Sequence, residues 1–191
     1  SHLGDSDFYQ VPVEGLTDSN YIAMRMKDFD PVQAGRSSKL DAGQPNESDQ
    51  TTHLSIVDKH GNAVAVTTTL NGGYGSSVVV KGAGFILNNE MDDFSIKPGV
   101  ANLYGLIGAE ANKIEPGKRM LSSMTPTIVE KDGKLKLVVG TPGGSTIITS
   151  VFQTIVNILD FQMDAAAAVA QPRFHHQWLP DSIQVEKGGL S

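Results

Sequence analysis

Two consecutive threonines, Thr51-Thr52, stand where a polar run ending in Asp49-Gln50 gives way to the alternating segment His53-Leu54-Ser55-Ile56-Val57. A threonine that becomes a chain's first residue carries its own base. Its freed α-amine has a pKa of about 7.7–8.0, close enough to neutrality to take the proton from its own hydroxyl. Thr51 is internal, so this chemistry requires the bond between Gln50 and Thr51 to break first. The plainer reading of paired threonines at a strand start is β propensity. What favours the chemical reading is the setting, a polar segment that could leave after cleavage followed directly by a strand.

Further along, Gly143-Gly144 falls between a predicted strand and a predicted helix. Bare N–H groups at a helix N-terminus make a natural oxyanion site, against the alternative of a turn that needs positive φ. A phosphate loop fits less well, because no Gly-Lys-Ser/Thr follows. Asn88-Asn89-Glu90-Met91-Asp92-Asp93-Phe94 sets three carboxylates just beyond a strand. They could capture a cationic group such as an ammonium, or form a solvated acidic turn; their spacing does not suit a calcium loop. Ser122-Ser123 reads alone as a polar turn entering a strand. His175-His176 suggests a metal to the eye, but adjacent side chains diverge and no carboxylate stands at ligand spacing, so no metal and no cofactor is expected.

The elements that must position these residues follow from periodicity and turn chemistry. Asp18-Ser19-Asn20 predicts a capped helix over about 16–29. Residues 30–50 are rich in Pro, Gly, Ser, Asp and Asn and predict a loop or linker. Residues 52–58 and 62–70 predict a hairpin around His60-Gly61-Asn62, and short strands are predicted at Ser76–Val80 and Phe85–Leu87. The stretch 95–120 predicts an irregular excursion. Thr127–Glu130 and Leu135–Gly140 predict a second hairpin across Lys131-Asp132-Gly133-Lys134. Thr146–Phe161 predicts a buried helix, and 164–170 an alanine-rich helix ending before Pro172. Helices flanking a β block without regular βαβ alternation favour a layered α+β fold over a doubly wound sheet.

The chain has 191 residues, 39% apolar and 19% charged, which suits one domain or a large piece of one. Its net charge of −6 argues against nucleic acid as a partner. The absence of cysteine excludes disulfide and thiolate chemistry and leaves the compartment open. No apolar run approaches the length that spans a bilayer. The opening residues Ser1-His2-Leu3-Gly4-Asp5-Ser6 do not read as a signal peptide, and the start and the end both read like the middle of something longer.

Taken together, Gln50-Thr51-Thr52-His53, Asn88 through Ser95, Leu121-Ser122-Ser123-Met124, Pro142-Gly143-Gly144 and Pro172-Arg173-Phe174-His175-His176-Gln177-Trp178-Leu179-Pro180 resemble the γ-glutamyltranspeptidase family of N-terminal-nucleophile hydrolases. These blocks run through nearly the whole chain in the family's order. The resemblance implies a four-layer αββα sandwich, or the part of it encoded here. It implies that residues 1–50 end a large subunit and carry its flexible linker, while 51–191 form a truncated small-subunit catalytic portion. Thr51 is implied to cleave the precursor after Gln50 and then to serve as nucleophile, with Thr69 hydrogen-bonded to it. Asn71 is implied to line the glutamyl site. Glu90 and Asp93 are implied to hold the substrate's α-ammonium, Ser122 and Ser123 its α-carboxylate, and Gly143 and Gly144 to donate the oxyanion N–H groups.

The implied reaction moves a γ-glutamyl group from glutathione or a related amide to water or to an amino-acid or dipeptide acceptor, through an ester on Thr51. The implied partners are the remainder of the large subunit, in a heterodimer formed by cleavage. The implied location is periplasmic or secreted. Two departures stand beside this: the large subunit's substrate-binding arginine lies outside the sequence, and Thr51 still follows Gln50. The chain is therefore expected to be an unprocessed and inactive fragment. The rival readings are a related acylase or poly-γ-glutamate transpeptidase with the same nucleophile, and an inert piece with a binding or structural role only.

Overall fold

The structure, a computed structural model, describes residues 3–27, 29, 31–32, 51–178 and 181–189. These residues form two compact units. One gathers the described residues of Ser1–Gln44 with Met91–Leu121 and those of Trp178–Asp181. The other gathers those of Pro45–Glu90 with Ser122–Gln177 and those of Ser182–Ser191. Residue 50 and most of the expected 30–50 linker lie outside the described residues.

In the second unit, β1 (Thr51–Val57) and β2 (Ala63–Thr69) pair antiparallel from Val57↔Ala63 to Thr51↔Thr69. Asp58 sets the reversal: its carboxylate accepts from the N–H groups of His60 (2.8 Å) and Asn62 (2.9 Å), an Asx-type turn that shapes the expected His60-Gly61-Asn62 corner. Alternation then sorts the side chains. Thr51, His53, Ala63, Ala65, Thr67 and Thr69 form the half-buried face, while Leu54, Ile56, Val64 and Val66 are exposed.

The second hairpin, β3 (Thr127–Lys131) and β4 (Lys134–Val139), turns at Asp132 and Gly133, both at positive φ, and carries a bulge at Val129/Glu130. β4 runs close to both β1 and β2. Gly140, just past β4, lies against the His53 ring, which occupies the space a Cβ would need.

A 3₁₀ turn, Gly144–Thr146, leads into α1 (Ile147–Leu159). The expected buried helix is in fact amphipathic: Ile147, Val151 and Thr154 are buried, whereas Ile148 and Phe152 face out. Asp164 caps α2 (Ala165–Ala170) by accepting from Ala167 N–H at 2.8 Å. A short hairpin that periodicity did not reveal follows, β5 (Phe174–His175) with β6 (Gln184–Val185). Its link to α1 is Gln153, whose side-chain amide bonds the Phe174 carbonyl (2.8 Å) and N–H (3.1 Å) as a strand would. The strands expected at 76–80 and 85–87 reduce to a single bridge, Val79↔Ile86, with flanking main-chain bonds.

The first unit is held differently. The expected helix over 16–29 is two short helices, Val13–Thr17 and Ser19–Arg25. Asp18 divides them, because it takes extended backbone to cap the second through Tyr21 N–H at 2.8 Å. The stretch from Met91 to Leu121 is irregular, as expected, with a 3₁₀ turn at Glu110–Asn112 and isolated bridges Ser95↔Lys113 and Ala101↔Ile107. Phe94, Tyr104 and Ala111 are its buried apolar residues. Asp5, also buried, accepts from Arg119 N–H (2.9 Å), Nε (3.0 Å) and a terminal guanidinium nitrogen (2.6 Å). These bonds hold its carboxyl well below the usual carboxylate range.

The described residues are thus helices with small antiparallel sheets, an α+β protein. No helix among them is long and apolar enough to cross a membrane.

Candidate active site

Thr51 heads β1, half-buried, with Thr69 directly across the ladder. Thr69 Oγ1 accepts the N–H of Asn71 at 2.9 Å, which leaves its hydroxyl hydrogen for another partner. Asn71 is buried at φ 70, a left-handed turn that asparagine tolerates better than most residues. Its Nδ2 donates to the Asn89 carbonyl at 3.2 Å. Asn89 also accepts Gly72 N–H on its Oδ1 (2.8 Å) and donates its own N–H to the Leu70 carbonyl (3.1 Å). The end of β2 is therefore tied to the residue immediately before Glu90.

Glu90 opens the 3₁₀ turn Glu90–Asp93 and is only 9% exposed. Its N–H donates to Asn88 Oδ1 at 3.0 Å, while its Oε1 is buried without a hydrogen-bond partner. Burial pushes its carboxyl pKa up. A buried carboxylate oxygen with nothing donating to it is costly, and a cation placed there would relieve that cost. The other two acidic residues differ from it. Asp92 is committed to the local loop, accepting Leu103 N–H at 2.9 Å. Asp93 belongs to the other unit, where its carbonyl accepts from Asn112 Nδ2 at 2.7 Å.

Ser122 Oγ accepts Met124 N–H at 3.1 Å, which shapes the turn through Ser122-Ser123. Gly143 lies at φ 136 and Gly144 at φ 56. A Cβ at Gly143 would fall 2.6 Å from Thr146 Oγ1, so both backbone angle and space require glycine there. The Gly143 carbonyl is fixed by Thr146 N–H (3.0 Å) and Thr146 Oγ1 (2.7 Å). N–H groups at the head of such a turn have no acceptor within it, which is the arrangement an oxyanion requires. Beside Gly143 opens a cleft of about 290 Å³ lined also by Thr141, Pro142, Thr146, Arg173 and Glu186.

Sequence reasoning missed three positioning side chains: His53, Asn89 and Asn112. His53 is held between Thr67 Oγ1 (2.8 Å) and Ser55 Oγ (2.9 Å) on the same strand face as Thr51. Alternation could have placed it there, since it stands two residues beyond Thr51. His175, by contrast, is a satisfied core histidine, bonded to Thr149 Oγ1 (2.8 Å) and Gln177 Oε1 (2.9 Å). Among the described residues no group of three or more His, Cys, Asp or Glu could hold a metal ion.

The family model described as Gamma-glutamyltranspeptidase matches residues 1–191. The glutathione hydrolase proenzyme of Escherichia coli strain K12 is 55% identical over 98% of the chain, covering 33% of the relative. That of Pseudomonas aeruginosa is 59% identical over 94% of the chain, covering 32% of the relative. The chain spans about a third of the length of these curated relatives. Among solved structures, a threonine-to-alanine mutant of Helicobacter pylori gamma-glutamyltranspeptidase superposes with a TM-score of 0.72 at 61% identity, over 73% of this chain and 75% of that one. The fold is of the N-terminal-nucleophile hydrolase type, and the chain belongs to the gamma-glutamyltranspeptidase family.

Proposed function

We propose that this chain carries the catalytic threonine of a γ-glutamyltransferase and glutathione hydrolase, matured by cleavage between Gln50 and Thr51. The observation that carries the reading is the pairing of Thr51 with Thr69 at the end of the β1–β2 ladder, two residues from buried Asn71. Family membership supplies the substrate class. The relatives are named as proenzymes, which supports maturation by cleavage and a heterodimer of the two products.

In the proposed maturation, Thr51 Oγ attacks the Gln50 carbonyl, the acyl group moves from nitrogen to oxygen, and water hydrolyses the ester. The freed α-amine of Thr51 then serves as base in turnover. Glu90 and Asp93 receive the donor's α-ammonium, and Ser122 and Ser123 its α-carboxylate. Holding both charges far from the scissile bond uses remote binding energy to orient the γ-carbonyl against Thr51. Attack by Oγ passes its proton to the amine, and the N–H groups of Gly143 and Gly144 hold the oxyanion. Collapse of the tetrahedral adduct expels the donor's amine, which takes that proton and leaves a γ-glutamyl ester. Water releases glutamate from it; an amino-acid or dipeptide amine forms a new γ-glutamyl amide.

The test is N-terminal sequencing of the matured full-length protein together with turnover of γ-glutamyl-p-nitroanilide. The expected result is a piece beginning Thr51-Thr52-His53 and turnover through two successive steps. A fully active protein with the Gln50–Thr51 bond intact would overturn the reading.

A further inference from the structure

Asn112 is 5% exposed and has no place in the proposed chemistry, yet its side chain bonds two segments that do. Its Nδ2 donates to the Asp93 carbonyl at 2.7 Å, across nineteen positions of sequence. Its Oδ1 accepts the N–H of Leu121 at 3.1 Å, nine positions in the other direction. Leu121 immediately precedes Ser122-Ser123. The main chain of Asn112 is fixed as well: its carbonyl accepts Ser95 N–H at 2.8 Å, and its N–H donates to the Ala109 carbonyl at 3.1 Å.

We propose that Asn112 is a positioning residue for donor recognition, a buried side chain that fixes the Asp93 turn to the main chain at Leu121. The proposal rests on the reading of Glu90, Asp93, Ser122 and Ser123 given above. An amino-acid head presents its ammonium and carboxylate at a separation fixed by a single carbon. Groups that bind both charges at once must therefore be held at a matching separation. No strand ladder holds either segment, since the stretch from Met91 to Leu121 contains only short 3₁₀ turns and isolated bridges. One amide side chain with a donor for one segment and an acceptor for the other meets the need. Asparagine suits the task because a carboxylate at this position would lack the donor and a hydrocarbon both bonds. Buried polar groups left unpaired by such changes are costly, which makes the contact selective for the amide.

The test compares inhibition by free glutamate, which carries both charges, with inhibition by glutarate, which lacks the ammonium. Both are measured on the matured full-length protein with γ-glutamyl-p-nitroanilide as the reported donor. Asn112→Asp keeps the shape and the acceptor for Leu121 but loses the donor to Asp93. It should raise the glutamate inhibition constant about tenfold, shift the glutarate constant less than about twofold, and alter kcat less than about threefold. Asn112→Ser, which is smaller and uncharged, should give the same ordering. An equal shift for both inhibitors, an unchanged glutamate constant, or loss of maturation in both variants would overturn the proposal. Asp93→Ala separates this from the underlying reading. If that variant leaves the glutamate-to-glutarate ratio unchanged, the ammonium site itself is misassigned, whatever Asn112 does.

Discussion

The β1–β2 hairpin and the stretch from Met91 to Leu121 bring proposed site residues into position by opposite means. In the hairpin, a main-chain ladder from Val57↔Ala63 to Thr51↔Thr69 fixes the register, and alternation alone decides which face each threonine takes. In the irregular stretch there is no ladder to do this. Side chains bond to main chain instead: Asp92 to Leu103 N–H, Asn102 Oδ1 to the N–H groups of Tyr104 and Leu106, and Asn112 to Asp93 and Leu121. The nucleophile is proposed for the region whose geometry is set by the backbone, and one ammonium ligand for the region set by individual side chains. Single substitutions should therefore act locally and chemically in the first region, and through altered binding in the second.

The largest expected effect lies in the hairpin. Thr51→Ala should abolish cleavage after Gln50 and lower kcat for γ-glutamyl-p-nitroanilide by ~10⁴-fold or more, because the proposed acyl intermediate forms on the Thr51 hydroxyl. Gel electrophoresis for the two products and initial-rate kinetics check both halves. Next comes Gly143→Ala, where an L residue meets both a forbidden φ of 136° and a Cβ 2.6 Å from Thr146 Oγ1. Displacing that turn should cost on the order of 10²-fold in kcat, with KM little changed, since the oxyanion forms only in the transition state.

Smaller effects belong to recognition. Asp93→Ala should raise KM about tenfold with a lesser change in kcat, the loss of one charge-assisted bond to the donor. Glu90 carries a pH signature. Its pKa is raised by burial, so it protonates at a higher pH than an ordinary glutamate, and the protonated form cannot pair with an ammonium. Below the acid limb set by the Thr51 α-amine, kcat/KM should therefore show a second limb above about 4.3, the usual glutamate value, and Glu90→Gln should remove that second limb while lowering the plateau. A limb unchanged in Glu90→Gln would assign it to another group.

The smallest effect on activity should come from Asp5, outside the proposed chemistry. Its folded pKa is depressed, foremost by the Arg119 hydrogen bonds, so it stabilises the fold at pH values above its unfolded pKa of about 3.9. That contribution is lost as pH falls through the carboxylate range towards the folded value. Asp5→Asn should lower the thermal midpoint at neutral pH, and the difference from the unchanged protein should shrink as the solution is acidified. A pH-independent difference would contradict this assignment.

What could be read from sequence follows the same division. The two long hairpins, the helix after Gly143-Gly144 and the alanine-rich helix before Pro172 were all legible, because period-2 alternation, helical spacing and Asp132-Gly133 are local signals. The break at Asp18 was missed because a residue that starts one helix also ends another. β5 and β6 are two residues each, too short for any period, and depend on Gln153 from a distant helix. Thr51 and Gly143-Gly144 could be singled out by residue type and setting, whereas Glu90 stood as one of three carboxylates until the family resemblance separated it. Asn112 could not, since nothing in its neighbourhood of sequence signals bonds nine and nineteen residues away.

The most direct test of the account is the mass of the peptide that begins at Thr51, taken from the matured protein quenched during turnover of a γ-glutamyl donor. The account predicts one added glutamyl group, localised to Thr51 by fragmentation and removed on brief exposure to an amine acceptor. An adduct on any other residue, or active protein in which Gln50 and Thr51 remain joined, would contradict it.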